Sequence, residues 1–355
     1  MDPARLREAV DPALAERFGD EVDRLWPRED RFTDKGAPAM LGLAVSGGPD
    51  SLAMLLLADA AMPGEIAVAS VNHGIRPEAA NEVALVQGVC IALGVPFSAL
   101  SIRLGRGNLQ SRAREMRYSA LIEWVREARP GASPDQRIGA LATAHHADDQ
   151  AETLLMRLAR GSGLSGLAGV RAAHPFDTQD GSDPVPVIRP LLAWRKEELE
   201  VILSGAGIVP ARDPSNADTQ FDRVRVRDHL AEHDWLDPNA LALSAQHLAE
   251  SWRAIEWYSQ IDWEEMVHRE GDGTGFRYNA NVPRVIQIET VRRIVSELGG
   301  LVTRGEAGRA ADRLWRGQNA SLGGVLAMPT VEHVAKMGVE LRVWRFTPEP
   351  ARRTH

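Results

Sequence analysis

Cysteine is almost missing from this chain of 355 residues, in which Cys90 is the single one. One thiol excludes an internal disulfide, a CxxC redox pair and any zinc or iron–sulfur site built from cysteines. The chain also lacks a run of about 18 or more apolar residues, and residues 1–25 carry charges throughout, so the sequence predicts neither a membrane span nor a signal peptide. We therefore expect a cytoplasmic protein without a membrane partner.

Low-complexity composition and an excess of positive charge are absent as well. The 31 glycines and 21 prolines are ordinary, and 44% hydrophobic residues suffice to bury a core, which excludes fibrous and disordered classes. The length predicts two or three domains. The net charge of −8 argues against a nucleic-acid partner, although residues 292–355 carry an excess of basic side chains. That excess fits either nucleic-acid binding or scattered surface arginines.

Short apolar runs alternate with helical patterns between residues 40 and 170. The runs cover 41–46, 66–71, 95–102 and 138–144, and they precede helical patterns that begin at Leu52 and span 78–93, 109–128 and 149–159. Such alternation predicts an α/β fold with a doubly wound, Rossmann-like parallel sheet that helices cover on both faces. Ligands of this architecture bind beyond the carboxyl ends of the strands, so we expect the site there.

The remaining sequence predicts a less regular organisation. Residues 177–186 are polar and interrupted by proline, which predicts a surface loop, and a helix is expected over 194–204. Residues 240–270 carry an amphipathic helical pattern, and 280–345 predict a small α/β domain with a turn at 322–324. We predict that residues 1–38 form an amino-terminal helical extension and that residues 39–235 form the parallel-sheet domain. Residues 236–275 are predicted to form a helical linker region, and residues 276–355 a small carboxyl-terminal domain.

The first motif with chemical content follows the first predicted strand and opens the next helix. Glycines let the backbone turn its N–H groups inward, serines add hydroxyl donors and the helix start supplies a positive dipole, which together make a pocket for phosphate. The segment resembles the PP-loop SGGxDS, and it is neither a Walker loop nor a Rossmann GxGxxG motif. A glycine-rich turn capped by Asp and Ser is the structural alternative. The motif consists of Ser46, Gly47, Gly48, Pro49, Asp50 and Ser51.

A second polar segment, AHHADDQAET at 144–153, follows the fourth predicted strand. Asp149 and Glu152 are three residues apart and so share one face of the first helical turn, where carboxylates can bind Mg²⁺. Both strand exits are expected to face the same crevice. Two alternatives are a helix cap made by one of the aspartates and a zinc site made by the two histidines, although adjacent histidines on a strand project to opposite faces.

Six blocks of sequence, in order along the chain, together resemble the tRNA(Ile)-lysidine synthetases, a family of PP-loop enzymes. The resemblance implies an enzyme that uses ATP and Mg²⁺ to attach L-lysine to the wobble cytidine of an isoleucine tRNA with a CAU anticodon. It also implies an adenylated cytosine intermediate, with release of pyrophosphate and AMP. The blocks are SGGPDS at 46–51, VNHGIRP at 71–77, NLQSRAREMRY at 108–118, HHADDQAETLLMRLARGSGLSGLAG at 145–169, IRPLLAWRKEEL at 188–199 and DPSNADTQFDRVRVR at 213–227.

The resemblance further implies roles for individual residues. Asp50, Asp149 and Glu152 match acidic positions associated with ATP and catalysis, and the first two would hold Mg²⁺. Arg114 or Arg117 matches a catalytic basic position that neutralises phosphate charge, a task that suits a planar guanidinium, although a solvated helix face is the alternative for both. The small carboxyl-terminal domain is expected to contact tRNA. Further ATP-binding positions are His73, His145 and the PP-loop residues, and further tRNA-binding positions are Arg160 and the alternating strip of Arg223, Arg225 and Arg227.

Four other kinds of protein compete with this resemblance. A tRNA thiolase needs cysteines to carry sulfur, and a glutamine-dependent amidotransferase needs a nucleophilic cysteine domain; Cys90 in an apolar helix supplies neither. An ammonia-dependent NAD synthetase remains the alternative enzyme. A non-catalytic ATP-sensing or RNA-binding module would leave the three carboxylates without a reason to occur together. The sequence leaves the oligomeric state open, a homodimer included.

Overall fold

A computed structural model of the chain describes residues 1–31, 38–72, 78–102, 109–127, 137–176, 183–211, 222–271, 273–334 and 339–349. The chain divides into two compact units, Met1–Ala249 and Glu250–His355. No helix in the described part of the chain combines the length and the apolar character that a membrane crossing demands.

Two helices at the amino terminus, α1 (Pro3–Glu8) and α2 (Pro12–Leu25), belong to the first unit. Each begins with an aspartate whose side chain caps the helix, followed by a proline in the first turn, which is a favourable helix start. Leu6, Phe18 and Val22 are buried in the hydrophobic cluster that also contains the sheet strands. These helices therefore share the core of the sheet, whereas the predicted boundary at residue 38 set them apart; the sequence predicts helices there but does not reveal which core they complete.

In the part of the chain that the structure describes, the centre of the first unit is a six-stranded sheet. It is made of β1 (Met40–Ala44), β2 (Ile66–Asn72), β3 (Phe97–Ser101), β4 (Ile138–Ala142), β5 (Ala173–Phe176) and β6 (Val185–Ile188). The strand order is β3-β2-β1-β4-β6-β5, and neighbouring strands are parallel except β5, which runs antiparallel to β6 at the edge. The predicted α/β fold with a parallel sheet is confirmed. Because β1 and β4 are neighbours, the two segments with chemical content leave the sheet side by side.

Helices cover both faces of this sheet. The described helices between residues 49 and 232 are α3 (Pro49–Ala61), α4 (Glu78–Leu93), α5 (Leu109–Glu127), α6 (Ala147–Ala159), α7 (Leu164–Leu167), α8 (Lys196–Ala206) and α9 (Asp222–Glu232). Of these, α3, α4 and α8 share one core with the strands and α5 shares another, whereas α7 and α9 pack against α6. Apolar side chains occur on all sides of α3, and the helix is buried from Ser51 to Asp59 because it packs between α2 and α8. Tyr118, Leu121 and Val125 of α5 pack with strand residues in a separate cluster. The helices predicted from the sequence are present, with small shifts at their ends.

The loop predicted over residues 177–186 is only partly correct. Residues 177–182 lie outside the described ranges, and Val185 and Pro186 already belong to β6. Pro186 lies opposite Pro175 of the antiparallel edge strand β5. Proline is tolerated near a sheet edge because its missing N–H does not break a central ladder. Because prolines are typical of loops, the sequence pattern alone does not predict this strand.

The second unit combines helices with an antiparallel sheet. Its elements follow α10 (Pro238–Met266) and are β7 (Val267–Glu270), β8 (Gly275–Asn279), α11 (Arg284–Glu297), α12 (Arg304–Trp315), β9 (Ala320–Leu322), β10 (Val325–Val334) and β11 (Val339–Pro348). In the described residues the strand order is β7-β8-β11-β10-β9. Tyr278, Trp344 and Phe346 form the centre of the core. Gly323 and Gly324, both with positive φ, make the predicted turn between β9 and β10.

The division between the units differs from the predicted boundaries at residues 235 and 275. It lies at Ala249, inside α10, and β7 begins directly after that helix. From the sequence alone, the helical pattern over residues 240–270 predicts a linker region between two domains. In the structure, its last turns and the strand that follows it contribute Trp263, Met266 and Val267 to the packing of the second core.

Candidate active site

The PP-loop joins β1 to α3 and is held in shape by its own serines. The Ser46 backbone N–H donates to Ser51 Oγ over 3.1 Å, and the Ser51 hydroxyl donates to the Gly48 carbonyl over 3.0 Å. Gly47 has φ +87°, and a Cβ there would lie 3.2 Å from the Glu82 carbonyl oxygen, so backbone conformation and space both require glycine. Gly48 is the N-cap of α3 and has no side chain to cover the helix N–H groups. The loop therefore presents a helix start suited to a phosphate.

The segment after β4 enters α6 through a capped helix start. Asp149 accepts a hydrogen bond from the His146 backbone N–H over 3.1 Å, so this aspartate makes the cap that the sequence allowed. His145 Nδ1 lies 3.1 Å from the Thr143 hydroxyl, whereas the ring of His146 is buried. Because the two rings have different partners, the geometry gives no support to a zinc site shared by these histidines.

The two strand exits meet at His146. Its Nε2 lies 3.6 Å from Asp50 Oδ2 and 3.6 Å from Asp149 Oδ2, so one ring bridges the PP-loop and the start of α6. The prediction of a shared crevice is confirmed. The resemblance implies a role for His145 and none for His146. A sequence feature that could indicate a role for His146 is its position at the N-cap, directly before the helix and next to the aspartates.

The charges around His146 favour its protonated form. Burial of the ring lowers its pKa, but Asp148, with Oδ2 3.4 Å from Nδ1, together with Asp50 and Asp149, outweighs burial and raises the pKa to about 10. Burial likewise raises the pKa of Asp148, but His146, a backbone N–H at the start of α8 and the Arg195 guanidinium lower it well below the ordinary value. At neutral pH the crevice thus contains a buried imidazolium among carboxylates.

This imidazolium predicts a pH dependence of stability. The pKa of histidine is about 6.5 in an unfolded chain and about 10 for His146 in the folded protein, so folding strengthens proton binding. The stabilisation is complete below the unfolded pKa and is lost as the pH rises through the folded pKa. We expect urea unfolding, measured between pH about 6 and about 10, to show a smaller loss of stability in His146→Gln than in the parent. The exposed His268→Gln should follow the parent; identical slopes in all three proteins would contradict the assignment.

Two arginines of α9 lie against the carboxylates of α6. Glu152 is only 2% exposed, and it pairs with Arg227 Nε over 2.7 Å and with Arg223 Nε, while Arg223 also pairs with Asp149. Burial lowers the pKa of Arg223, but the charges of the two carboxylates raise it above the ordinary value; the hydrogen bond to Glu152 is the main cause of the raised pKa of Arg227. The two acidic residues are therefore neutralised from within the protein.

The predicted strip of Arg223, Arg225 and Arg227 is not one surface. The segment forms a helix, in which residues four apart share a face, so the first and third of these arginines face α6. Arg225 instead pairs with Asp222 at an exposed position, as Arg160 does. The alternation suggested by the sequence has a period of two, which describes a strand and not this helix. Contact of these arginines with tRNA stays a prediction.

Asp50 offers a carboxylate oxygen suited to a cation. Its Oδ1 is buried and has no hydrogen-bond partner among the described residues, a state that a ligand would relieve. Asp149 differs, because its Oδ2 accepts the capping bond and its Oδ1 pairs with Arg223. Mg²⁺ prefers carboxylate oxygens of this kind. Asp50 therefore fits the predicted metal-binding role as it lies, and Asp149 fits it once Arg223 has left.

These groups line one cleft of about 1640 Å³. That volume exceeds the roughly 300–1,000 Å³ of a site for one small ligand, so it has room for a nucleotide and part of a second substrate. The cleft is lined by acidic and basic side chains that include Asp50, His146, Asp149, Glu152, Arg223 and Arg227.

Three predicted site residues stay untested by this geometry. Arg117 is half-buried on α5. Arg114 belongs to the same helix, but its side chain lies outside the described residues, as does the whole of His73. Their roles in phosphate and nucleotide binding remain predictions.

Known proteins with similar sequences agree with this arrangement. A family model described as a PP-loop domain matches residues 27–234. A tRNA(Ile)-lysidine synthase from Novosphingobium aromaticivorans is 42% identical over 88% of this chain and 90% of that protein, and one from Zymomonas mobilis is 36% identical over 88% and 89%. A solved U34-tRNA thiolase from Methanococcus maripaludis, 17% identical, aligns with a TM-score of 0.51 over 67% of this chain and 79% of that one, which shows a shared fold alone.

The fold and the site together define a PP-loop enzyme that uses ATP. The sequence matches extend through both units, and at their level of identity the chain belongs to the tRNA(Ile)-lysidine synthase family.

Proposed function

We propose that this protein attaches L-lysine to the wobble cytidine of tRNA(Ile) with a CAU anticodon, at the expense of ATP. The observation that carries the proposal is the meeting of Asp50 and Asp149 around His146, in a member of this family. A phosphate pocket and a set of carboxylates then share one cleft. ATP first adenylates the ring carbonyl oxygen of cytosine and loses pyrophosphate, and the lysine ε-amine then displaces AMP from the ring carbon.

In the first step the protein stabilises charge on the departing pyrophosphate. The N–H groups at the α3 start, which no side chain caps, would bind the phosphates, and the protonated His146 adds a positive charge beside Asp50. Mg²⁺ held by Asp50 Oδ1 would supply further charge neutralisation on the phosphate oxygens. Arg114 or Arg117 is assigned the same task from α5. Adenylation is needed because the ring oxygen is a poor leaving group, whereas AMP is a good one.

In the second step a carboxylate accepts a proton from the lysine ammonium, which has to be neutral to attack. Asp149 and Glu152 are the candidates, and both are held by guanidinium groups of α9. The base can act only when these ion pairs open. Arg223 and Arg227 are suited to exchange a carboxylate for a phosphate of ATP or tRNA, because guanidinium binds both through paired hydrogen bonds.

The tRNA has to present its target base to this cleft. A wobble cytidine in an anticodon loop is unpaired, so it can be splayed out without breaking a helix. Residues 292–355 of the second unit, which carry an excess of basic side chains, are assigned to contact with tRNA. Arg160 at the end of α6 and Arg225 near the start of α9, both exposed, are assigned the same role. His73 and His145 are assigned to the nucleotide side of the cleft.

The test is direct transfer of labelled lysine. Purified protein is incubated with labelled lysine, ATP and a transcript of the minor isoleucine tRNA, and the RNA is digested to nucleosides. We expect label in lysidine only when ATP is present. A transcript with uridine at the wobble position is the matched control and should remain unlabelled. Failure to label the tRNA, combined with ATP-dependent amide formation from deamido-NAD and ammonia, would establish the NAD synthetase alternative instead.

A further inference from the structure

The carboxyl-terminal end of α9 carries a cluster of three metal-ligating side chains to which the proposed reaction gives no role, although one of them, His233, lies at the lining of the cleft. His229, Glu232 and His233 follow the spacing i, i+3, i+4, which places them on one face of the helix end. One ligand atom from each lies within 4.8 Å of the other two. All three residues are exposed, so a metal ion reaches them without any opening of the fold.

The hydrogen bond made by His233 leaves a nitrogen lone pair available on its ring. His233 Nδ1 lies 2.8 Å from the His229 carbonyl oxygen, and because a carbonyl only accepts, this nitrogen must carry the proton. The lone pair is then on His233 Nε2. An N–H donated to a backbone carbonyl is also the usual outer contact of a metal-bound histidine, since it fixes the ring and its tautomer.

The separations in the cluster are close to those of a coordination sphere. His229 Nδ1 lies 3.6 Å from Glu232 Oε2. Metal–ligand bonds of about 2.0–2.2 Å at a tetrahedral angle put two ligand atoms about 3.4 Å apart. The two imidazole rings have centroids 6.2 Å apart and lie edge to face. Small side-chain rotations at exposed positions are enough to bring the three atoms onto one ion.

We propose that His229, Glu232 and His233 bind a divalent transition metal ion, with Zn²⁺ as the best match. Two imidazoles and one carboxylate suit Zn²⁺, and they do not suit Mg²⁺, which prefers oxygen ligands only. Three protein ligands leave a fourth position for water. The proposal does not depend on the lysine-transfer reaction, and this metal is distinct from the Mg²⁺ assigned to Asp50.

Metal binding at this place has a structural consequence. The three ligands join the last turn of α9 to the residue that follows it, where helix carbonyls lack intrahelical partners. The metal would therefore stabilise the helix that carries Arg223 and Arg227. We expect Zn²⁺ to slow backbone hydrogen exchange within α9.

The test uses the full chain without a histidine tag. Isothermal titration with Zn²⁺, and the visible absorption of bound Co²⁺, report stoichiometry and tetrahedral geometry, and hydrogen exchange reports α9. We expect one high-affinity ion per chain, with affinity reduced about tenfold or more by His229→Ala and by His233→Ala. His247→Ala and His268→Ala, at exposed histidines outside the cluster, are the matched controls and should bind like the parent.

Two results would overturn the proposal. One is the absence of saturable Zn²⁺ binding to the folded parent protein. The other is binding whose affinity is the same in both cluster variants and in the controls, which would place the ion elsewhere on the chain. Circular dichroism of each variant verifies that the variant is folded, so that weaker binding reflects loss of the site. Glu232→Gln, which keeps the side-chain shape, should also weaken Zn²⁺ binding.

Discussion

Pyrophosphate release from ATP is expected to fall about 100- to 1,000-fold in Asp50→Asn, the range found when one electrostatic contact to a transition state is removed. The amide keeps the shape of the side chain but loses the charge that faces His146, and it replaces one carboxylate oxygen by a nitrogen that cannot bind a cation. The measurement is tRNA-dependent release of labelled pyrophosphate at saturating ATP.

Asp59→Asn is the matched control for this substitution. Asp59 lies on the same helix and is buried, as are the apolar residues of that helix. It pairs with Arg7 over 3.2 Å, away from the PP-loop. Its variant should release pyrophosphate at close to the parental rate. If Asp50→Asn were as active as this control, the assignment of Asp50 to the nucleotide would be wrong.

The second large effect concerns stability. Replacing both Arg223 and Arg227 by alanine is expected to lower the free energy of unfolding by about 3 kcal/mol, at the lower end of the range for breaking a buried ion pair. Glu152 has 2% of its surface exposed and would be left as a buried charge without a partner. The lower end applies because both arginine side chains are 39% exposed, so water can reach the opened pair. Urea unfolding measures the loss.

Arg225→Ala provides the control on the same helix. Its side chain is 61% exposed and pairs with Asp222 at the surface, so its removal should leave the free energy of unfolding close to that of the parent. Adding Glu152→Gln to the double variant removes the unpaired charge and should restore part of the stability. A double variant as stable as Arg225→Ala would show that these ion pairs contribute little.

The location of the site could be predicted because its parts are local in sequence. The PP-loop and the segment around Asp149 each follow an apolar run directly, and the alternation of runs and helices places their strands in one parallel sheet. The helix cap by Asp149 was also predictable, since the acidic residue lies in the first turn. Local patterns therefore suffice for the position of the cleft and for the residues on its two strand exits.

The charge balance within the cleft could not be predicted in the same way. Arg223 and Arg227 lie 71 and 75 residues after Glu152, and no local pattern indicates that they face it. The role of His146 depends on three carboxylates that surround it, only two of which are its neighbours in sequence. Long-range pairing of this kind is decided by how the helices pack. The pairing of the proline-containing strand β6 escaped prediction for the same reason.

The first two helices set a limit on how the chain can be shortened. Arg7 pairs with Asp59 of α3, Arg17 with Glu198 of α8, and Phe18 is fully enclosed between these elements. A fragment that starts at the first strand would expose to solvent the apolar surface of α3 against which α2 packs. Anyone designing a minimal version of the first unit for spectroscopy should therefore begin at or before Pro3 and attach purification tags at the opposite end.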